Sequence, residues 1–412
     1  MLEELLGELI NKFPDVNEDL WIQLLGTIEK EHPDWKCIIV GLNELLKNDL
    51  RKAKPLLVEA IKGSSRENER NLAVIILVSF TINKLNTAAR KKTPEEINQI
   101  LDRLNDIEYT LNIIGNLKGE FRRLIKKIAE KIASTLGTIA AVMYQWGENF
   151  EKLAKLLNTI LQASIIANNN ELIARSLMSL GVVYKKLGKL NKVEPYYKTA
   201  LRIWEGLAKI EPKKYAYDIA GIHMNLGNLY FSLERFNEAE VHYKEALKIW
   251  KRLVKEDPEY LHKIIEAHMN LGELYGNLER LNEARVHYIE ALRIFKKLAR
   301  REPEKYTHDI ASLHQILCSL FKHLSRFNEA ELHCKKALRL WKVLSERDSE
   351  EYEAAVAGSH EYLGDMYVYL GRFDEAEIHY KEALKIREKL VKKNPEKYEK
   401  NIANIFFGFG II

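Results

Sequence analysis

The chain has 412 residues, 46% of them apolar and 30% charged, with 64 basic and 59 acidic side chains for a formal net charge of +5. That content is ample for a core, while the near-balance of charge excludes binding of a polyanion by bulk charge. Met1–Ile10 lacks a basic leader and a small-residue cleavage site, and the apolar run around Leu72–Phe80 falls far short of the ~20 residues of a membrane span, so a cytoplasmic protein without a membrane segment is expected.

The first 170 residues read as helical but irregular. Gly41, Ala53 and Ala60 stand twelve and seven residues apart with Asn48 and Asp49 near the turn, which predicts a helix hairpin over about 36–62 ended by Gly63-Ser64-Ser65. Residues 66–86 read as a helix whose centre, Ala73–Val78, is apolar all round and therefore buried. Thr93-Pro94-Glu95-Glu96 supplies a cap, a proline for the first helical position and early acids, so another helix starts there. Ala141, Tyr144, Leu153 and Ile160 then align, at an offset of 40, with Gly181, Tyr184, Val193 and Ala200, which predicts a degenerate helix pair over about 133–170. The N-terminal region, 1–132, either continues the stack that follows or folds over its first member.

From Leu177 to Ala383 one pattern recurs five times at a period of 45 or 46 residues. Its first slot holds Gly181, Gly227, Gly272, Cys318 and Gly364, and the aromatic three residues later is Tyr184, Tyr230, Tyr275, Phe321 and Tyr367. Two further small slots follow at Val193, Ala239, Ala284, Ala330 and Ala376, and at Ala200, Ala246, Ala291, Ala337 and Ala383. Antiparallel helices cross closely only where side chains are small, and a ring fills the space beside the crossing. Trp204, Trp250, Phe295 and Trp341 lie one turn beyond the last alanine and share a face with Leu207, Leu253, Leu298 and Leu344, so each second helix runs on past the crossing. Tyr215, Tyr260, Tyr306 and Tyr352 open the next unit. Asn191, Asn237, Asn282, Asn328 and Asp374 read as caps of the second helices, with Glu194, Glu240, Glu331 and Glu377 completing capping boxes and Val241, Val286, Leu332 and Ile378 placed as hydrophobic staples.

On these residues the chain resembles the tetratricopeptide repeat family, whose signature places Gly, Tyr, Ala, an aromatic, Ala and Pro at these offsets. The aromatic before the last alanine is Tyr197, Tyr243, Tyr288, Cys334 and Tyr380, and the proline is delayed to Pro212, Pro258, Pro303 and Pro395. The resemblance implies an all-α fold, a right-handed α-α superhelix of antiparallel helix pairs. The expected organisation is an irregular helical region at 1–132, a degenerate repeat at 133–170, and five extended repeats over 171–412 with the first helix of a truncated sixth.

Chemistry is sparse. There is no phosphate loop, His-Glu-x-x-His, Cys-x-x-Cys or nucleophile elbow, so no catalytic residue, metal or cofactor is expected. Cys37, Cys318 and Cys334 form no close pair in sequence and fit a reducing compartment. Eight histidines stand in two columns, His223, His268, His314 and His360, and His242, His287, His333 and His379. Copies of one slot lie roughly a helix spacing, ~10 Å, apart, too far to share a metal, so the rings are expected to pack between helices.

The resemblance places function on the inner face of the first helices. The candidate peptide-binding residues there are Met178, Lys185, Lys186, Met224, Asn225, Asn228, Met269, Asn270, Glu273, Gln315, Ser319 and Asp365. Methionine adapts to varied apolar partners, and asparagine offers donor and acceptor together, so a column of them can hold an extended peptide backbone. The Asn225 and Asn270 slots are similar to those of kinesin-light-chain-like members, over two repeats only; Ile316 and Tyr362 break the ladder. A scaffold or adaptor binding an unidentified protein or peptide is the leading expectation. A second is self-assembly through the apolar edge Phe406, Phe407, Phe409 and Ile411, giving a homodimer. A third, RNA binding through Phe231, Tyr369 and the basic helix at Arg122–Lys131, is disfavoured by the acidic inner residues. Abundant Lys, Glu, Ile and Arg with sparse Gln hints at a heat-adapted source.

Overall fold

The recurring pattern of glycine, aromatic and paired alanines is laid out on α-helices in the computed structural model, which describes residues 18–46, 50–63, 93–102, 122–147, 149–346 and 350–394, with single positions between 73 and 112. The chain forms two compact units, residues 1–225 and 226–412. The first holds α1 (Glu18–Glu31), α2 (Lys36–Leu46), α3 (Leu50–Gly63), α4 (Pro94–Asp102), α5 (Arg122–Trp146), α6 (Phe150–Ile166), α7 (Asn170–Lys186) and α8 (Leu190–Ala208), and α9 (Pro212–Ser232) contains the boundary. The second continues with α10 (Phe236–Leu253), a 3-10 turn at Pro258–Tyr260, α11 (Leu261–Asn277), α12 (Leu281–Ala299), α13 (Pro303–His323), α14 (Phe327–Ser345), α15 (Glu350–Tyr369) and α16 (Phe373–Lys393). Within each unit consecutive helices pack on one another, α5 on α6 on α7 on α8 in the first and α10 through α16 in the second. The fold is all-α among the described residues.

The N-terminal hairpin is α2 against α3, where a Cβ on Gly41 would stand 3.0 Å from Leu57. Of the helix expected at 66–86 only Ala73 and Ile76 are described, and both are buried. α4 begins at Pro94, with the Thr93 carbonyl accepting from the Ile97 amide. The degenerate pair is α5 and α6, with Leu153 and Ile160 buried, but the register on α5 needs correction. Ala141 and Tyr144 face solvent, and their neighbours Ala140 and Met143 are buried. The apolar stripe Ile128, Ile132, Leu136, Ile139 and Met143 fixes which face of α5 is covered, and it lies one residue away from the repeat alignment.

In the repeats the small slot and the ring of the second helix are in direct contact. A Cβ built on Gly227 would fall 2.5 Å from the Tyr243 ring, on Gly272 2.7 Å from Tyr288, and on Gly364 2.7 Å from Tyr380. Gly181 faces Tyr197 in the same way. The extension is also filled as expected: Trp204 lies against Tyr215, Trp250 against Tyr260, Phe295 against Tyr306 and Trp341 against Tyr352, with ring centroids 5.3 to 6.0 Å apart.

Three local expectations are overturned. The second helices start at Leu190, Phe236, Leu281, Phe327 and Phe373, so the asparagines and Asp374 lie inside them. The cap residues are Lys189, Arg235, Arg280, Arg326 and Arg372, none with a side-chain cap bond. The turn geometry decides this. Gly188, Glu234, Glu279, Ser325 and Gly371 adopt positive φ, and the next amide bonds back to the aromatic-slot carbonyl, as in Arg235 to Tyr230 at 2.8 Å. That left-handed closure ends the first helix and leaves room for only one residue before the second begins. The supposed staples Val241, Val286, Leu332 and Ile378 are exposed, at 60, 51, 50 and 61%. Finally, Cys318 and Cys334 are bonded as a disulfide across α13 and α14, with Cα atoms 5.2 Å apart. They occupy the Gly and Tyr slots of the repeat, which only the pairing of helices brings together, so cysteine spacing does not argue for a reducing compartment here.

Gly272→Ala and Gly364→Ala are expected to cost about 1–3 kcal/mol, because the added Cβ would overlap a buried ring that must shift. Gly276→Ala, whose Cβ would meet nothing within 4 Å, is expected to stabilise by up to about 1 kcal/mol through helix propensity. Urea unfolding of the three variants tests both signs.

Candidate functional site

The ring that packs on the glycine also reaches the exposed face of the first helix. The Tyr243 hydroxyl donates to Asn228 Oδ1 at 2.8 Å, and Tyr380 donates to Asp365 Oδ1 at 2.8 Å. Both acceptors follow the glycine by one residue. Burial pushes the Tyr243 and Tyr288 hydroxyls above their ordinary range, and the charge of exposed Glu273 adds to it. In α13 the same slot is Ser319, and Cys334 offers it no hydroxyl.

Neighbouring repeats connect along this face. Asn270 Nδ2 donates to Asn228 Oδ1 at 3.0 Å, so two of the candidate asparagines form one hydrogen-bonded pair. Further along, Lys322 Nζ lies 3.3 Å from Asp365 Oδ2 and 5.2 Å from the centre of the Tyr369 ring. Glu273 is exposed, with Met269 and Ser319 half-buried. In the first unit, α7 carries Met178, half-buried, and Lys186, exposed, while burial and then the charge of Lys186 lower the Lys185 ammonium below its usual range. Asn225 is half-buried.

In the last two repeats the slot three residues before the small slot is turned toward its own second helix. Gln315 Oε1 accepts from the Trp341 indole at 3.1 Å, and Glu361 accepts from Arg387 Nε at 2.8 Å. Met224 is buried at 4% exposure. Met224 is thus core rather than an open surface, and Gln315 is engaged by Trp341. The edge residues Phe406, Phe407, Phe409 and Ile411 lie outside the described residues.

Two polar systems escaped the sequence reading. The two histidine columns meet: Nδ1 atoms stand 2.9 Å apart in His268–His287, 3.0 Å in His314–His333 and 2.8 Å in His360–His379. Each outer imidazole also lies against the aromatic slot, Tyr275, Phe321 or Tyr367. Burial, then the partner imidazole and nearby cations such as Lys251 and Lys296, lower the inner rings to about 3 at His268 and His314 and about 4 at His360. His287 and His333 are lowered to about 4, mainly by burial. The recurrence of His nineteen residues after His in four repeats, His223–His242 included, was the available signal. Among the described residues no group of three or more His, Cys, Asp or Glu could hold a metal ion, and no helix is long and apolar enough to cross a membrane.

The second system joins successive repeats. Glu240 accepts from the Tyr275 hydroxyl at 2.8 Å and from Arg280 Nη1 at 2.8 Å. Glu331 accepts from Tyr367 at 2.9 Å and from Arg372 Nη1 at 3.1 Å. Burial alone would raise the Glu240 carboxyl, yet the hydrogen bonds of Lys244, Tyr275 and Arg280 together hold it below the usual range. These glutamates were read as capping-box partners; they reach forward to the next repeat instead.

The geometry of small slot, ring and paired alanines agrees with a family model: residues 174–203, 218–297 and 309–389 match models of the tetratricopeptide repeat. The array consists of tetratricopeptide repeats. No curated protein matches the sequence significantly. Solved structures similar to the chain include BtubC (BKLC) from P. vanneervenii, at 22% identity over 64% of this chain and 92% of that one, with a TM-score of 0.43. The apo form of RapI is similar at 14% identity over 87% and 98%, TM-score 0.45. Aspartyl phosphate phosphatase F from Bacillus subtilis is similar at 13% identity over 98% and 92%, TM-score 0.45.

The histidine pairs of the tetratricopeptide repeats carry a pH dependence. Their folded-state affinity for protons lies below that of unfolded histidine, near 6.5, so the unfolded chain binds more protons below that pH. Their contribution is full above about pH 6.5 and lost as pH falls toward about 4, at about 1.4 kcal/mol per pH unit for each imidazole protonated only on unfolding. Denaturant midpoints measured from pH 7.5 to 4.5 should fall accordingly, and less steeply in His287→Asn, which keeps a nitrogen near the position of Nδ1.

Proposed function

We propose that the tetratricopeptide repeats of the second unit bind an extended segment of a protein partner along the exposed face of their first helices, without catalysis and without a cofactor. The observation that carries the reading is the Asn228–Asn270 amide pair, held by the Tyr243 hydroxyl and followed by exposed Glu273. An asparagine amide has two donors and a two-lone-pair acceptor. Asn270 spends one donor on Asn228, so the pair is oriented before a ligand arrives, which lowers the ordering cost of binding.

Amide groups suit the repeating N–H and C=O of a peptide backbone better than any one side chain. Glu273 adds a preference for a basic residue near the asparagines, and Asp365, already compensated by Lys322, adds less. The acidic character of this stretch also argues against a nucleic-acid ligand.

Peptides selected from a random library on the intact chain should lose about tenfold in affinity in Asn270→Ala, the worth of one or two hydrogen bonds. They should lose further in Asn270→Ala/Glu273→Ala. Both variants should melt within a few degrees of the parent, since neither residue is part of the core. Unchanged affinity in both folded variants would refute the assignment of this face.

A further inference from the structure

Repeat by repeat, the array uses two non-covalent devices; the first is absent within α13–α14 and the second at the junction of α12 with α13. The first is the ring on the glycine, present as Gly227–Tyr243, Gly272–Tyr288 and Gly364–Tyr380 in the second unit. In α13 and α14 these slots are Cys318 and Cys334. The second is the glutamate that takes the next repeat's tyrosine hydroxyl and arginine, Glu240 with Tyr275 and Arg280, and Glu331 with Tyr367 and Arg372. Between α12 and α13 those slots are Arg285 and Phe321. Phe321 has no hydroxyl, and Arg285 is no acceptor, so this bond cannot form there.

A pair of cysteine side chains is also smaller than a glycine and a tyrosine ring together. Two thiols alone would leave the slot underfilled, and underfilled core slots weaken the helices around them. The disulfide across Cα atoms 5.2 Å apart compensates by a bond rather than by packing. Both sulfur-bearing residues are buried, Cys318 at 1% and Cys334 at 2% exposure, so a reagent reaches them only when the hairpin opens.

We propose that Cys318 and Cys334 form a reversible thiol–disulfide couple that sets the cohesion of the α13–α14 hairpin, closed when oxidised and loosened when reduced. The inference does not depend on what the first-helix face binds. Oxidation proceeds by exchange with an external disulfide such as glutathione disulfide. A thiolate of the protein attacks one sulfur and releases one glutathione thiol; the second cysteine then displaces the other. One protein S–S bond forms, one glutathione S–S bond breaks, and two electrons pass from the dithiol to the glutathione, which leaves as two thiols. Reduction is the reverse with two equivalents of glutathione.

The test uses the full chain equilibrated in glutathione buffers of opposite poise. Thiol titration after denaturation should count three thiols in the reduced form and one, Cys37, in the oxidised form. The oxidised form should melt about 5–10 °C higher, as expected for a cross-link closing a loop of this length. Amide exchange in peptides from residues 313–341 should quicken tenfold or more on reduction, while peptides from 261–277 stay unchanged.

Cys318→Gly/Cys334→Tyr, which restores the slot pair of the other repeats, should melt near the oxidised parent and ignore the redox poise. Cys318→Ser/Cys334→Ser should match the reduced parent at either poise. Three titratable thiols in the oxidising buffer would overturn the proposal. So would a formed bond with identical exchange in 313–341 at both poises.

Discussion

The contact on which the array depends is that of a tyrosine ring against the bare Cα of a glycine on the facing helix. It does two jobs with one side chain. The ring sets how closely the two helices of a repeat can cross, since any Cβ at Gly227, Gly272 or Gly364 would enter it. Its hydroxyl then emerges at the exposed face and orients the residue after the glycine, Asn228 or Asp365. Packing and the candidate binding surface are therefore coupled through a single atom group. A change that moves the ring shifts both the helix crossing and the polar residue it holds.

Much of the fold was legible in the sequence because close packing leaves a small alphabet at contact positions. Small side chains, mostly Gly and Ala, fit the crossing and in most repeats a ring fills the space beside it, so a period of 45 or 46 stands out against variable surroundings. The extension was legible for the same reason, as Trp204, Trp250, Phe295 and Trp341 meet the tyrosine that opens the next repeat. Where the reading failed, backbone geometry outweighed side-chain chemistry. An asparagine followed by glutamate resembles a cap, but the left-handed residue at Glu234 or Glu279 had already fixed where the second helix starts. The capping signature then fell two residues late, and Val241 and its equivalents were left facing solvent. On α5, likewise, the local apolar stripe prevailed over a long-range alignment.

The candidate site was legible as a set of slots and not as a set of partners. Asn228, Asn270 and Glu273 are brought to one face as the repeat geometry implies. Gln315 and Met224 are not: Met224 is buried, and Gln315, like Glu361 in the same slot, is turned toward its second helix, whose longer-than-usual extension supplies Trp341 and Arg387 as neighbours. Side-chain direction depends on how far the second helix runs, and the slot pattern of a shorter repeat does not encode that. The histidine pairs were hidden for a related reason. Equivalent positions of one column are far apart along the stack, while the short distance runs between the two columns across each hairpin.

Polar residues do the joining where the apolar slots are already full. Glu240 and Glu331 draw hydrogen bonds from a tyrosine and an arginine of the following repeat, and each bond exists only if that repeat is stacked in register. In a solenoid, stability is a sum of units and interfaces between neighbours, so directional bonds at the interfaces specify register more than they add stability. A sliding error of one residue would strip these carboxylates of the tyrosine and arginine donors and leave each only the lysine of its own helix, Lys244 or Lys335, at a cost that apolar packing alone would not impose. The junction before α13 has lost that register device, through Arg285 and Phe321, at the same repeat in which Cys318 and Cys334 replace the ring on the glycine. Two independent departures from the array's rules, one at the α12–α13 junction and one within the α13–α14 hairpin, are matched by the one covalent cross-link among the described residues, and the bond restores locally, within α13–α14, the closeness that packing supplies in the other repeats.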